Sequence, residues 1–197
     1  GSIKHAKKLV DIAKKCGADS VKFQSFKTEN IILAKAPKSK YHIETTGSDK
    51  SQSWFELLKT QEMSENMHYE IFRYCKKKKI IFLSTPYDYE SVDLLNKIGV
   101  SAFKIASTDN QNIPLLEYIS KKNKPTILST AMSTLDEVSL SFKTLTKKLK
   151  EKVIVLQCTG NYPSSNNDSN LNVMQSYKKN FNCIFGYSDH TAGFINP

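Results

Sequence analysis

A single arginine, Arg73, stands among the 29 basic residues of this 197-residue chain. Proteins that read phosphate and guanine in nucleic acids lean on the guanidinium fork. The formal net charge of +10 therefore reads as a solvated lysine surface, as in the run KKKK at 76–79, and no nucleic-acid partner is expected. Glycine is scarce too, with seven residues. The absence of any G-x-G-x-x-G turn or P-loop removes the usual phosphate-binding signals of an open doubly wound sheet. The four cysteines, Cys16, Cys75, Cys158 and Cys183, form no C-x-x-C pair, so neither a zinc knuckle nor a disulfide framework is indicated. No apolar run approaches the roughly 18 residues that span a bilayer, and no charged-then-apolar leader opens the chain. The expected compartment is the cytosol, with no membrane partner.

What the sequence does contain is an alternation. A composition of 39% hydrophobic and 24% charged residues supports one globular domain with a substantial core. Ile3, Ala6, Val10 and Ala13, at spacings of three and four, predict an amphipathic helix over 2–16 that Gly17 ends. A strand over 19–24 follows. After a polar excursion over 25–61, a helix with Met67, Ile71 and Tyr74 or Cys75 on one face leads to a strand over 80–84. Helices over 88–98, 112–122, 135–149 and 170–179 then alternate with strands over 101–106, 125–129, 153–157 and 182–187. Thr134 and Glu137 open the third of these helices as a capping box. Six strands alternating with helices predict an α/β fold with a parallel sheet.

A (β/α)8 barrel fits better than a doubly wound sheet, with about six of its eight strands present in these residues. In barrels the chemistry sits where strands end and loops begin. Nearly every predicted strand here ends in polar residues: Gln24 and Ser25, Ser84 and Thr85, Ser107 to Asp109, Ser129 and Thr130, Gln157 to Thr159, and Ser188 to His190. The segment 25–63 is too long for a plain connection and is expected to be a loop over that rim.

Two of the strands carry a lysine within an apolar run, Lys22 in DSVKFQSF and Lys104 in SAFKIAST. If both face a core, each ammonium needs an anion, because an uncompensated buried charge costs several kcal/mol, roughly. Lysines, hydroxyls, a carboxylate and a histidine at one rim suit a phosphorylated or carboxylated ligand through charge-assisted hydrogen bonds. A Schiff-base lysine, as in a class I aldolase, is equally compatible with inward lysines. A non-catalytic basic module is the remaining alternative.

The motifs VKFQSFK, FLSTPYD, FKIAST, ILSTAMS, QCTGNYP and FGYSDHT resemble, in order and spacing, those of the sialic acid synthase family, over essentially all 197 residues. The resemblance implies a phosphoenolpyruvate-condensing barrel. Its product would be a nine-carbon 2-keto acid, made from an N-acetylmannosamine-type sugar with release of phosphate; the primary expectation is an N-acylneuraminate synthase, the alternative a legionaminate or pseudaminate synthase. It implies a divalent metal, Mn2+ in the first place and Mg2+ or Co2+ otherwise, and a homodimer in the full-length protein. It also implies that the first strand, the last βα unit and a C-terminal antifreeze-like domain lie outside residues 1–197, and that the chain alone is inactive.

By the same resemblance, Lys22, Lys104, Thr85, Ser107, Ser129 and Ser188 match positions that hold phosphoenolpyruvate, and Gln24 and Tyr162 match sugar-contacting positions. Asp109 matches the catalytic carboxylate, with Lys104 as its electrostatic partner in catalysis, and His190 matches a metal ligand. The segment YHIETTGSDKSQSWFELLKTQEMS resembles the covering loop of the sialic and legionaminic branch. Three positions depart from the family pattern: Gln157 where many members have His, Gly160 where a polar side chain is usual, and Ala131 where Gly is usual, a matter only if that position needs a positive φ.

Overall fold

The computed structural model describes residues 2–38, 43–44 and 52–196, and the chain divides into two compact units, Gly1–Val100 and Ser101–Pro197. Eleven residues of the expected loop over 25–63, namely 39–42 and 45–51, lie outside the described residues.

In the first unit, α1 (Ile3–Lys15) begins where Ser2 Oγ accepts from the His5 N–H and ends beside Gly17, whose φ of +85° closes the turn. Val10, on its apolar face, is fully buried. After β1 (Ser20–Ser25) come two short helices, α2 (Thr28–Ile31) and α3 (Trp54–Gln61), the latter opened by a capping box between Ser53 and Glu56. Helix α4 (Glu65–Lys78) is N-capped by Ser64 and stopped by Lys79 in the left-handed region. Its buried face is His68, Ile71 and Cys75, so the histidine takes the core position that the spacing assigns to Met67. Strand β2 (Ile81–Pro86) pairs in parallel with β1, and α5 (Tyr89–Ile98) runs from the Asp88 cap to Gly99 at φ +87°. Phe82 stacks on Phe23 with ring centres 5.6 Å apart and meets the edge of Phe72 of α4 at 5.9 Å. Such contacts add about 0.5–1.5 kcal/mol to simple area burial.

The second unit is a four-stranded parallel sheet in the order β3 (Phe103–Ile105), β4 (Thr126–Ser129), β5 (Val153–Cys158), β6 (Ile184–Ser188). Helix α6 (Ile113–Ser120) follows β3, with Asn112 as N-cap and a proline in its first turn. Helix α7 (Leu135–Leu149) has the predicted Thr134–Glu137 capping box, and α8 (Val173–Asn180) precedes β6. Helices α7 and α8 pack on β5, α8 also on β6, and α6 packs on α7. Val138, Val155, Tyr177 and Phe181 are buried between sheet and helices, joined by Phe142 and Phe185. Burying each such side chain is worth about 1.5–3 kcal/mol.

Among the described residues five non-glycine residues have positive φ: Lys79, Asn123, Met132, Lys150 and Asn170. Ala131 is not one of them, so the departure at that position leaves the backbone unstrained. Tyr162–Pro163 is a cis peptide bond. Among the described residues no helix is long and apolar enough to cross a membrane.

Candidate functional site

Strand alternation divides the polar strand ends into two sets, because successive side chains point to opposite faces. In β1 and β2, Lys22 pairs with Leu83 and Gln24 with Thr85. These lie opposite the face where Phe23, Phe82, Ser25 and Ser84 meet α4. Ser25 and Ser84, expected at the rim, are instead held inside: Ser25 Oγ is 2.7 Å from His68 Nε2 and 2.7 Å from Ser84 Oγ. On the rim face Gln24 Nε2 donates to the Tyr87 hydroxyl at 2.9 Å. Lys22 corrects the expectation of two buried lysines, since its side chain is exposed. The protein atoms packed along one side still disfavour the ammonium and pull its pKa below the ordinary lysine value.

In the second unit, Lys104, Ser129, Cys158 and Ser188 share one face of β3–β6 by register. Lys104 is buried, and its Nζ donates to Ser129 Oγ on the adjacent strand and to the Ile105 carbonyl at 3.0 Å. A helix-facing set lies behind: Thr130 Oγ1 is 2.6 Å from the Tyr177 hydroxyl, and Gln157 Nε2 donates to the Ser169 carbonyl at 3.1 Å. Gln157, like Thr130, is therefore packed against α8 and its preceding loop and does not reach the rim.

Ser107 and Asp109 form a single 3-10 turn after β3. Ser107 Oγ accepts from the Ala131 N–H at 3.0 Å and lies 3.2 Å from Cys158 Sγ. Asp109 Oδ1 accepts from Asn112 Nδ2 at 3.2 Å, whereas Oδ2 is buried with no hydrogen-bond partner. Burial pushes the Asp109 pKa up, the Asn112 bond only partly opposing it. A carboxylate so placed is a stronger base than a solvated one and has one oxygen left for a ligand or water.

His190 follows β6. Its Nδ1 is 2.6 Å from the Thr159 carbonyl, which can only accept, so Nδ1 carries the proton and Nε2 presents a lone pair. This is the orientation that metal-binding histidines adopt. The Tyr162 ring lies over the imidazole at 4.0 Å between centres. Neighbouring Asp189 is occupied otherwise: its Oδ1 accepts from the Thr191 N–H, the Thr191 hydroxyl and the Tyr187 hydroxyl, which hold its pKa down. Among the described residues no group of three or more His, Cys, Asp or Glu side chains converges on a point. His190 Nε2 is one donor of the kind that a divalent metal accepts.

At Gly160, an added Cβ would come within 3.0 Å of Met132 Cγ and 3.2 Å of its sulfur. Met132 is 69% exposed and flexible, so this glycine is required neither by φ nor by an immovable neighbour. From the sequence His68 reads as an ordinary helix or loop histidine and Cys158 as a small core residue, while Tyr87 carries no assignment. Two of them sit on or beside strand ends that the rim argument had already marked, and period-two alternation applied to Ser25 and Ser84 would have pointed inward to a helix partner.

The chain is 45% identical over 195 residues to an N,N'-diacetyllegionaminic acid synthase of Campylobacter jejuni, covering 98% of this chain and 58% of that protein. It is 33% identical to the human N-acetylneuraminate-9-phosphate synthase, covering 98% of this chain and 53% of the relative. It therefore spans little more than half the length of these relatives. A solved N-acetylneuraminic acid synthetase from Leptospira borgpetersenii, crystallised with citrate, superposes with a TM-score of 0.84 at 30% identity over 99% of this chain and 62% of its own. The fold is thus α/β of the TIM-barrel-like type, with six strands among the described residues. The NeuB family pattern matches residues 9–197, and the chain belongs to the NeuB family.

Proposed function

We propose that this chain carries the condensing chemistry of a phosphoenolpyruvate-dependent nonulosonic acid synthase of the legionaminate type, with N-acylneuraminate synthesis as the second reading. The 45% identity to the legionaminic acid synthase, against 33% to the human neuraminate enzyme, favours this order. The observation that carries the chemistry is the buried Lys104 ammonium bonded to Ser129 on the sheet face that also carries Cys158 and Ser188.

Lys104, Ser129, Ser107 and Ser188 are assigned to the phosphate and carboxylate of phosphoenolpyruvate, as are Lys22 and Thr85. Gln24 and Tyr162 are assigned to the sugar. Carbon 3 of phosphoenolpyruvate bonds to the aldehyde carbon of the open-chain sugar, whose oxygen takes a proton and becomes a hydroxyl. Water adds to the cation at carbon 2, and the tetrahedral intermediate then loses phosphate by cleavage of the bond between carbon 2 and the bridging oxygen. Asp109, through its unpartnered Oδ2, orients that water and accepts its proton. Lys104 remains an ammonium throughout and offsets the negative charge, in contrast to an aldolase lysine, which must be neutral to attack. A divalent metal bound through His190 Nε2 would supply Lewis acidity toward the aldehyde oxygen.

The test is phosphate release by the protein expressed from its whole reading frame, with phosphoenolpyruvate, Mn2+ and either 2,4-diacetamido-2,4,6-trideoxymannose or N-acetylmannosamine. Turnover of the first sugar supports the legionaminate reading and turnover of the second alone supports the neuraminate one. Folded protein inert toward both sinks the proposal.

A further inference from the structure

The polar chain behind β1 and β2 has a fixed direction. His68 Nδ1 is 2.8 Å from the Ser64 carbonyl, so Nδ1 is the donor. In the neutral ring Nε2 is then an acceptor. Ser25 gives it the hydroxyl proton and is left to accept from Ser84. The three residues are 1%, 1% and 0% exposed, so water does not compete for these bonds. Burial, reinforced by Lys27 and countered by the Ser64 carbonyl and Glu65, keeps the His68 pKa below the ordinary histidine value, which favours the neutral ring that the chain of bonds requires.

What hangs on this chain is the rim. Gln24 precedes Ser25, Thr85 follows Ser84, and the two rim residues are register partners. The Ser25 carbonyl also accepts from the Tyr87 N–H at 3.0 Å, while the Tyr87 hydroxyl accepts from Gln24. Gln24 is therefore tied to Ser25 through the backbone and again through Tyr87.

We infer that His68 is a positioning residue: by holding Ser25 and Ser84 at the carboxyl ends of β1 and β2, it aims Gln24 and Thr85 at their substrates. The identity of those substrates rests on the function proposed above. Protonation at Nε2 would turn this acceptor into a donor. Ser25 would then have to accept from it and donate to Ser84, whose own proton would lose its partner. A cavity of about 120 Å3 borders His68, lined among others by Phe26, Lys27, Met63, Glu65, Glu90 and Ser91. Lys27 opposes that protonation and Glu65 favours it. Glu90 is the third charged group on the wall, and Asp88 is engaged by the Lys27 and Ser91 N–H groups.

The experiment compares His68→Gln, which retains an acceptor near Nε2, with His68→Met, which has similar length and only a weakly accepting thioether, in the protein expressed from its whole reading frame. For folded enzyme, His68→Met should raise KM for phosphoenolpyruvate and sugar about tenfold or more with kcat within about threefold, and His68→Gln should restore KM to within about threefold. The wild-type KM should also rise on acidification, a rise absent in His68→Gln. Unchanged KM in folded His68→Met, or equal losses in both variants, overturns the inference. If His68→Met does not fold, Ser84→Ala leaves the imidazole in place and should raise KM for phosphoenolpyruvate; an unaltered KM overturns the inference. Should wild type show no turnover, the functional reading fails separately. Positioning is then judged by the Gln24 side-chain amide resonances, which should shift in His68→Met and return in His68→Gln; resonances unmoved in both overturn it.

Discussion

Lys104 donates from Nζ to Ser129 Oγ across the β3–β4 boundary and to the Ile105 carbonyl at 3.0 Å, so two neutral oxygens accept from a buried ammonium. Neutral acceptors satisfy hydrogen bonds without offsetting charge, and an anionic ligand within reach of Nζ would add a charge-assisted bond.

Replacing Lys104 with Met should therefore weaken phosphoenolpyruvate binding by at least about tenfold, since charge-assisted bonds contribute roughly 1.5–3 kcal/mol each. The same change should leave the fold intact or stabilise it, because a buried charge is removed. Calorimetric titration with phosphoenolpyruvate, paired with a thermal melt, checks both halves. Unchanged affinity in a folded variant would remove Lys104 from the site.

Asp109 separates activity from stability in the opposite way to most core substitutions. Its folded pKa lies above its unfolded value, so its favourable contribution is present below the unfolded pKa and is lost as pH rises through the folded one. At neutral pH the ionised side chain costs stability. Asp109→Asn should thus raise Tm at pH 7, with the advantage shrinking under acid, while kcat falls about 10²–10⁴-fold. The acid limb of the wild-type rate profile should lie above the ordinary aspartate pKa. A variant that melts earlier at neutral pH contradicts this account.

His190→Ala should abolish stoichiometric Mn2+ binding, measured by metal analysis after dialysis, and should also loosen Tyr162, which loses its ring partner. Second-sphere partners of metal-binding histidines are typically worth about 10–100-fold in metal affinity. The partner here, the Thr159 carbonyl, belongs to the backbone. Retained Mn2+ in His190→Ala would place the metal elsewhere.

The departures at Gly160 and Ala131 are expected to be mild. Gly160→Ser should change Tm little, because exposed Met132 can swing aside. Ala131→Gly should lower stability by about 0.4–1 kcal/mol through the unfolded state, as φ at this position suits alanine. A rise in Tm on that change would mean that the backbone there is under strain.

The sequence pattern located most elements because both periods are strong in it. Helix 135–149 and its capping box stand as expected, and the strand expected over 153–157 gains one residue, Cys158. Less legible was the environment of residues that look alike in the sequence. Lys22 and Lys104 share flanking chemistry, yet one is exposed and the other buried, since what surrounds a strand residue comes from distant chain segments. Ser25 and Ser84 were placed with the rim although alternation turns them inward. His68 reads from the sequence as an ordinary helix or loop histidine because a one-position rotation of α4 exchanges it with Met67 on the core face.

Few glycines also mean that left-handed turns fall to other residues. Lys79 and Asn123 lie at helix ends with φ near +54° and +53°, and Lys150 has φ +52° with ψ −120°. Left-handed backbone costs a side-chain-bearing residue roughly 1–2 kcal/mol, and the Lys150 conformation is one that glycine adopts far more readily. The helix ends thus hold an untapped reserve of thermal tolerance: glycine at 79 or 150 is a route to a hardier fold that leaves every side chain of the candidate site where it stands.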